Sequence, residues 1–239
     1  MFLTHDNKLK PKWILWGTVI TFALIMLGFA GLDKYLYVAI YNPRCDIWSM
    51  GSNGFLCSVA FIIGQVFRAQ ILLPFMFIAF VLIFIKKTLV SGIKYKNTKK
   101  QFSLVVIAKD FVSKVRTNYG FLIFSSIFVA SFVTKFLKIF IGRLRPIFFE
   151  ALGVTGFRPF SYDWALTSMP SGHTTVAFAG LVMAGMLSPK IKPYTWTLAI
   201  IVGLSRVYIG AHWPSDVIFG AFIGMIAADV VKWLAFRHK

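Results

Sequence analysis

Trp13 to Leu32 is a run of twenty residues without a charge, enough helix at about 1.5 Å per residue to cross a hydrocarbon core of about 30 Å. In lipid such a segment must satisfy its backbone polar groups internally, and a helix does this. Lys8, Lys10 and Lys12 precede it as they would in a signal peptide. The run nevertheless exceeds the usual apolar length of about 7–15 residues for such a peptide, and no small-x-small cleavage site follows. It is therefore read as a retained span. Five more uncharged or nearly uncharged runs follow at Ala69–Ile85, Gly120–Leu137, Thr174–Leu187, Tyr194–Leu204 extending toward His212, and Val217–Phe236. They predict an all-α, polytopic membrane protein of six transmembrane helices, forming one domain over residues 1–239. The fourth and fifth runs are short, but both adjoin polar residues of the kind that line intramembrane sites. Gly54–Phe67, also uncharged, reads as an interfacial or loop helix because it is too short to span.

Composition agrees with this reading. Apolar residues make up 58% of the chain and charged residues 14%, where soluble domains carry about 45–50% and about a quarter. Such hydrophobicity excludes a disordered chain, and two cysteines cannot build a disulfide scaffold. Cys45 and Cys57 share the segment 33–68. An oxidising compartment would permit a disulfide there; two free thiols, Cys57 packed on an apolar face, fit the sequence equally well.

The net charge of +18 raises the question of a nucleic-acid partner. The placement of the cations answers it, because they gather at the ends of apolar runs and not along a recognition helix or an aromatic-basic sheet. With six spans the termini share one side. That side, made up of the N-terminus, the segments 86–119 and 188–193 and the C-terminal end with Lys232 in the last turns of the final span, holds 17 of the 26 Lys and Arg residues. The positive-inside rule then places both termini in the cytoplasm. Segment 86–119 is Lys-rich and partly amphipathic, which suits a solvated basic loop beside anionic headgroups.

Three polar patches interrupt the apolar runs, and all fall on the outward side of this topology. They are Lys138 to Pro146 (KIFIGRLRP), Pro170 to His173 (PSGH) and Ser205 to Asp216 (SRVYIGAHWPSD). Lys138, Arg145 and Arg206 are cations without acidic neighbours in sequence, and the arginine fork matches phosphate oxygens. Pro170 is expected in the first turn of the fourth span. The amides of Ser171, Gly172 and His173 would then be free at a helix N-terminus, which favours an anion. Ser171 adds a hydroxyl donor, and Gly172 lets the backbone approach a ligand closely. Phosphoryl transfer needs a nucleophile on one side of phosphorus and an acid on the other, roles that His173 and His212 can fill. Asp216, four residues after His212, can reach back to one ring nitrogen and fix the tautomer.

At these residues the chain resembles the type-2 phosphatidic acid phosphatases, also called lipid phosphate phosphatases, whose relatives include bacterial acid phosphatases and vanadium haloperoxidases. The family pattern, K-x6-R-P, then P-S-G-H, then S-R-x5-H-x3-D, is complete here across residues 138–216. The resemblance implies that His212 forms a phosphohistidine, Asp216 orients it and His173 protonates the leaving oxygen. It further implies that Lys138, Arg145, Ser171, Gly172 and Arg206 hold the phosphate, with no metal or other cofactor. Arg143 lies outside the pattern and is assigned only a local electrostatic part.

The expected function is that of a multi-pass lipid phosphatase of the bacterial inner membrane, its site facing the periplasm and its partners a phosphorylated lipid and the bilayer, with no nucleic acid and no obligate protein partner. Lipid A 1-phosphate is favoured because a cationic, outward mouth suits a bulky polyanionic headgroup; undecaprenyl diphosphate, phosphatidylglycerol phosphate and phosphatidic acid are the alternatives. The same residues serve a lipid phosphotransferase. A vanadate-dependent haloperoxidase shares the oxyanion site, but lipid-embedded helices argue against a soluble substrate. A membrane anion carrier would be expected to show an inverted repeat, and none is seen.

Overall fold

The computed structural model describes residues 2–3, 7–45, 54–95 and 111–237. Among them every extended element is helical: α1 Pro11–Leu27, α2 Asp33–Ile40, α3 Phe55–Val66, α4 Ala69–Tyr95, α5 Tyr119–Ile141, α6 Pro146–Leu152, α7 Gly172–Leu187, α8 Lys192–Tyr208 and α9 Pro214–Phe236. Pro11–Ile40, Ala69–Lys86, Tyr119–Ile141 and Pro214–Phe236 are long and apolar enough to cross a membrane. Helices α7 and α8, of 16 and 17 residues, are shorter.

Burial inverts the pattern of a soluble bundle. Trp13, Trp16 and Phe22 on α1, Phe75 and Leu82 on α4, and Phe128, Phe132 and Phe136 on α5 face outward. Charged and polar groups such as Asp33, Arg143, Ser168 and Asp216 lie inside. Lipid as the outer solvent explains an apolar exterior of this extent.

Helix α7 is the hub, packed against α5, α8 and α9, with α4 laid on α5, α1 on α9 and α3 on α8. Its core contacts run through Phe178, Val182 and Met183 toward Leu122, Ala199 and Ala228. Close approach of α9 depends on Gly220 and Gly224, four apart on one face, a spacing that lets helix backbones meet. A Cβ at Gly220 would stand 2.6 Å from the Ser171 carbonyl oxygen, and one at Gly224 would stand 2.5 Å from that of Thr175.

Two boundaries differ from the sequence reading. The first helical segment does not end at Leu32; a π-helical turn over Gly28–Leu32 carries it into α2. Helix α4 does not stop at Ile85 but continues to Tyr95, so the basic segment 86–119 begins on a helix. At the first boundary the two helices join across a kink at Gly31, whose φ of 125° is not helical; at the second a charge ends the hydropathy run without interrupting the helix. Cys45 and Cys57 form a disulfide, which packs with Ala60 against Ile209 and Ala211.

Candidate active site

The C-terminal ends of α5 and α8 and the N-terminal ends of α7 and α9 meet at one end of the bundle, and this brings the three polar patches together. Helix α5 closes on Gly142, whose left-handed φ of 59° turns the chain so that Arg143 and Arg145 run back across the bundle end. The Arg145 guanidinium donates from Nε to the Trp164 carbonyl at 2.9 Å and from Nη1 to the Ala211 carbonyl at 2.7 Å. It also lies over the Trp164 ring at 3.7 Å. Burial pushes its pKa down to about 10, so it stays charged at neutral pH.

His212, 2% exposed, sits between this cation and Asp216. Nε2 is 3.4 Å from Arg145 Nη1. Nδ1 is 3.6 Å from Asp216 Oδ2 and 3.4 Å from the Ser168 hydroxyl. Burial first, and then the positive charge of Arg145, hold the imidazole well below its ordinary pKa of 6.5. The ring is therefore neutral at physiological pH, with a lone pair available on one nitrogen.

Asp216 is fully enclosed. Oδ2 accepts from Ser168 Oγ at 2.5 Å and from the Trp213 amide at 3.0 Å, and Oδ1 accepts from Arg143 Nη1 at 2.7 Å. Lys138 Nζ donates to the carbonyls of Thr167 and Ser168 at 2.5 and 3.1 Å, and its stem lies 3.9 Å from where a Cβ on Gly172 would be. Arg206 is buried against α3: Nη2 donates to the Ala60 carbonyl, Ser205 Oγ accepts from Nε at 3.0 Å, and Gly64 leaves the space that the guanidinium fills.

The start of α7 departs from expectation in one respect. Ser171 is the N-cap and the helix begins at Gly172, so Pro170 stands before the cap and not in the first turn. The Ser171 amide is not free, because it donates to the Asp216 carbonyl at 2.9 Å. The open donors of the first turn are those from Gly172 onward. The Ser171 hydroxyl accepts from Thr174 Oγ1 at 3.0 Å, which leaves its own hydrogen for a ligand. His173, half-buried in that turn, is within electrostatic reach of Arg206, Arg68, Arg145 and Lys138.

The sequence reading did not single out Ser168, Asp33 or Arg68. Ser168 stands two residues before Pro170 in an apolar stretch and carries no spacing signal. Asp33 lies 183 positions from Asp216 and meets it only through Arg143. Arg68, in the break between α3 and α4, was one basic residue among many.

Comparison with known proteins places this arrangement. Over 146 residues the chain is 38% identical to the lipid A 1-phosphatase of Rhizobium etli, a match covering 59% of this chain and 63% of that protein. It is 31% identical over 136 residues to the undecaprenyl-diphosphatase of Sulfolobus acidocaldarius, covering 55% and 59%. The matches to the Rhizobium lipid A 1-phosphatases thus span 47–63% of those proteins' length. The fold resembles that of a PAP2-type phosphatidylglycerolphosphate phosphatase from Bacillus subtilis, with a TM-score of 0.62 at 20% identity over 95% of this chain and 97% of that one. Residues 119–239, which contain all three polar patches, match the model of the PAP2 superfamily, and the chain belongs to that superfamily.

Proposed function

We propose that this protein is a six-span phosphatase that removes phosphate from an envelope lipid at the periplasmic face of a bacterial inner membrane, with both termini in the cytoplasm and lipid A 1-phosphate as substrate. The observation that carries the reading is the placement of a neutral, buried imidazole nitrogen 3.4 Å from the Arg145 guanidinium. That is a nucleophile at the rim of an oxyanion pocket, without a proton that must first be removed.

In this reading His212 Nε2 attacks phosphorus as the bond from phosphorus to the lipid oxygen breaks, and His173 gives that oxygen a proton. Asp216 takes the Nδ1 proton's hydrogen bond as positive charge develops on the ring. Water, deprotonated by His173, then attacks the phosphohistidine; the P–N bond breaks and inorganic phosphate leaves. Lys138, Arg145, Arg206, the Ser171 hydroxyl and the amides from Gly172 onward face the equatorial oxygens, where preorganised donors stabilise the transition state. These cations supply the positive charge that a metal ion supplies in other phosphoryl-transfer enzymes, so the mechanism is metal-independent.

The lipid A assignment is supported by the relatives that carry that name and by Arg68, which adds a fourth cation beside His173 and Arg206. The skew of basic residues supports the orientation. Thin-layer separation of products from a panel of labelled lipid phosphates tests the assignment. Preferential release of the lipid A 1-phosphate is expected, whereas preferential turnover of undecaprenyl diphosphate or phosphatidylglycerol phosphate would reassign the substrate. Label passing to a second lipid would make the protein a transferase.

A further inference from the structure

We propose that Asp33, contributed by the first membrane span, is a positioning residue for the nucleophilic imidazole: by occupying one arm of Arg143 it keeps Asp216 turned toward His212. This rests on the reading of His212 as nucleophile.

A carboxylate buried to 3% exposure in an apolar helix is costly unless fully paired, and here both oxygens are engaged. Asp33 Oδ2 accepts from Arg143 Nη2 at 2.7 Å and from Ser215 Oγ at 2.5 Å, and Oδ1 accepts from the Ser215 amide at 2.9 Å. The other arm of Arg143, Nη1, donates to Asp216 Oδ1 and to Ser215 Oγ, each at 2.7 Å. One guanidinium is thus divided between two carboxylates, and it is held in place by the rings of Phe29 and Trp213 at 4.8 and 5.3 Å.

The division has a chemical consequence. An undivided guanidinium grips a carboxylate through both oxygens, and it would then compete with His212 for Asp216 Oδ2. With Asp33 on the second arm, Arg143 holds only Oδ1, and Oδ2 is left to Ser168, the Trp213 amide and the imidazole. Arg143 and Asp33 also cancel in charge, so Asp216 retains its full negative charge to balance the ring when the phosphoryl group is attached.

The backbone is shaped for this carboxylate. The π-helical turn over Gly28–Leu32 precedes it, Gly31 has a φ of 125°, and a Cβ at Gly28 would come 2.9 Å from Asp33 Oδ2. The first span lies outside the region matched by the family model, so none of the three motifs contains this element.

The test is a double-mutant cycle on the purified full-length protein in detergent, with a soluble aryl phosphate. Asp33→Asn is expected to lower kcat by about 10–100-fold, as loss of an orienting partner does, with KM within about twofold. In an Asp216→Asn background the same change should alter kcat by less than about twofold, because its route to the imidazole is gone. Wild-type kcat in Asp33→Asn, a loss carried by KM, or the full loss persisting without Asp216 would each overturn the proposal. If Asp33→Asn fails to fold, Ser215→Ala replaces it in the cycle, removing a donor to Asp33 while keeping every charge. A kcat loss that disappears without Asp216 is again expected, and an unchanged kcat overturns the proposal. Failure of the underlying reading is separately visible, as near-normal turnover by His212→Gln with Asp33 intact.

Discussion

The main-chain amide of Ser171 donates to the main-chain carbonyl of Asp216 at 2.9 Å, which ties the first turn of α7 to the first turn of α9. The element whose first-turn amides are open and the element that carries Asp216 therefore hold one fixed relation. That bond forms only because Gly220 and Gly224 let the two backbones approach.

Enlarging Gly224 should break this relation. Gly224→Val places a carbon 2.5 Å from the Thr175 carbonyl oxygen, and overpacking of this kind costs about 1–3 kcal/mol or more. A lowered unfolding temperature in detergent, with activity falling alongside it, is expected; a variant as stable and active as wild type would contradict the packing described.

If His212 is the nucleophile proposed, His212→Gln should keep the fold and lose turnover by about 10³-fold or more, because among the described residues its imidazole is the one placed 3.4 Å from Arg145. Single-turnover assays on protein of verified monodispersity measure this directly. Near-normal activity would remove His212 from the nucleophile's role.

Dividing labour between the histidines predicts unequal rescue. With an aryl phosphate the leaving group needs little protonation, so His173→Ala should regain part of its lost rate while His212→Ala should not. Equal, unrecovered losses would refute the assignment of His173 as acid.

The pH dependence follows from the lowered pKa of His212. Protonation blocks attack, so a depressed value puts the ascending limb of kcat/KM below 6.5, and activity attributable to this group falls only as pH drops through the shifted value. Arg145 contributes to the depression. Arg145→Met should therefore move the limb to higher pH while also lowering its height, with the same aryl phosphate as substrate so that its own ionisation cancels. A limb that stays in place or moves down would exclude this electrostatic coupling.

If cations do the work of a metal, EDTA should leave the rate intact. Vanadate should inhibit by adopting a five-coordinate geometry on His212, and Arg206→Ala should weaken that inhibition by about 10–100-fold, as expected for loss of a charge-assisted contact worth about 1.5–3 kcal/mol. Abolition by EDTA with rescue by Mg²⁺ would show the oxyanion-pocket mechanism to be wrong.

The sequence by itself determined the all-helical, membrane-embedded class, because lipid imposes a length and an apolarity that a run such as Trp13–Leu32 displays openly. It also determined the eight residues gathered at the bundle end, since Lys138, Arg145, Ser171, Gly172, His173, Arg206, His212 and Asp216 lie in three short patches with fixed spacing. Only the tertiary structure decided what surrounds them. Ser168 reaches Asp216, Asp33 reaches Arg143, and Ala60 reaches Arg206 across 48, 110 and 146 positions. Contacts of that separation follow from how helices cross, and no local pattern encodes them. The helix end at Tyr95 was hidden for a related reason: hydropathy reports where charge begins, whereas a helix continues for as long as its backbone finds partners.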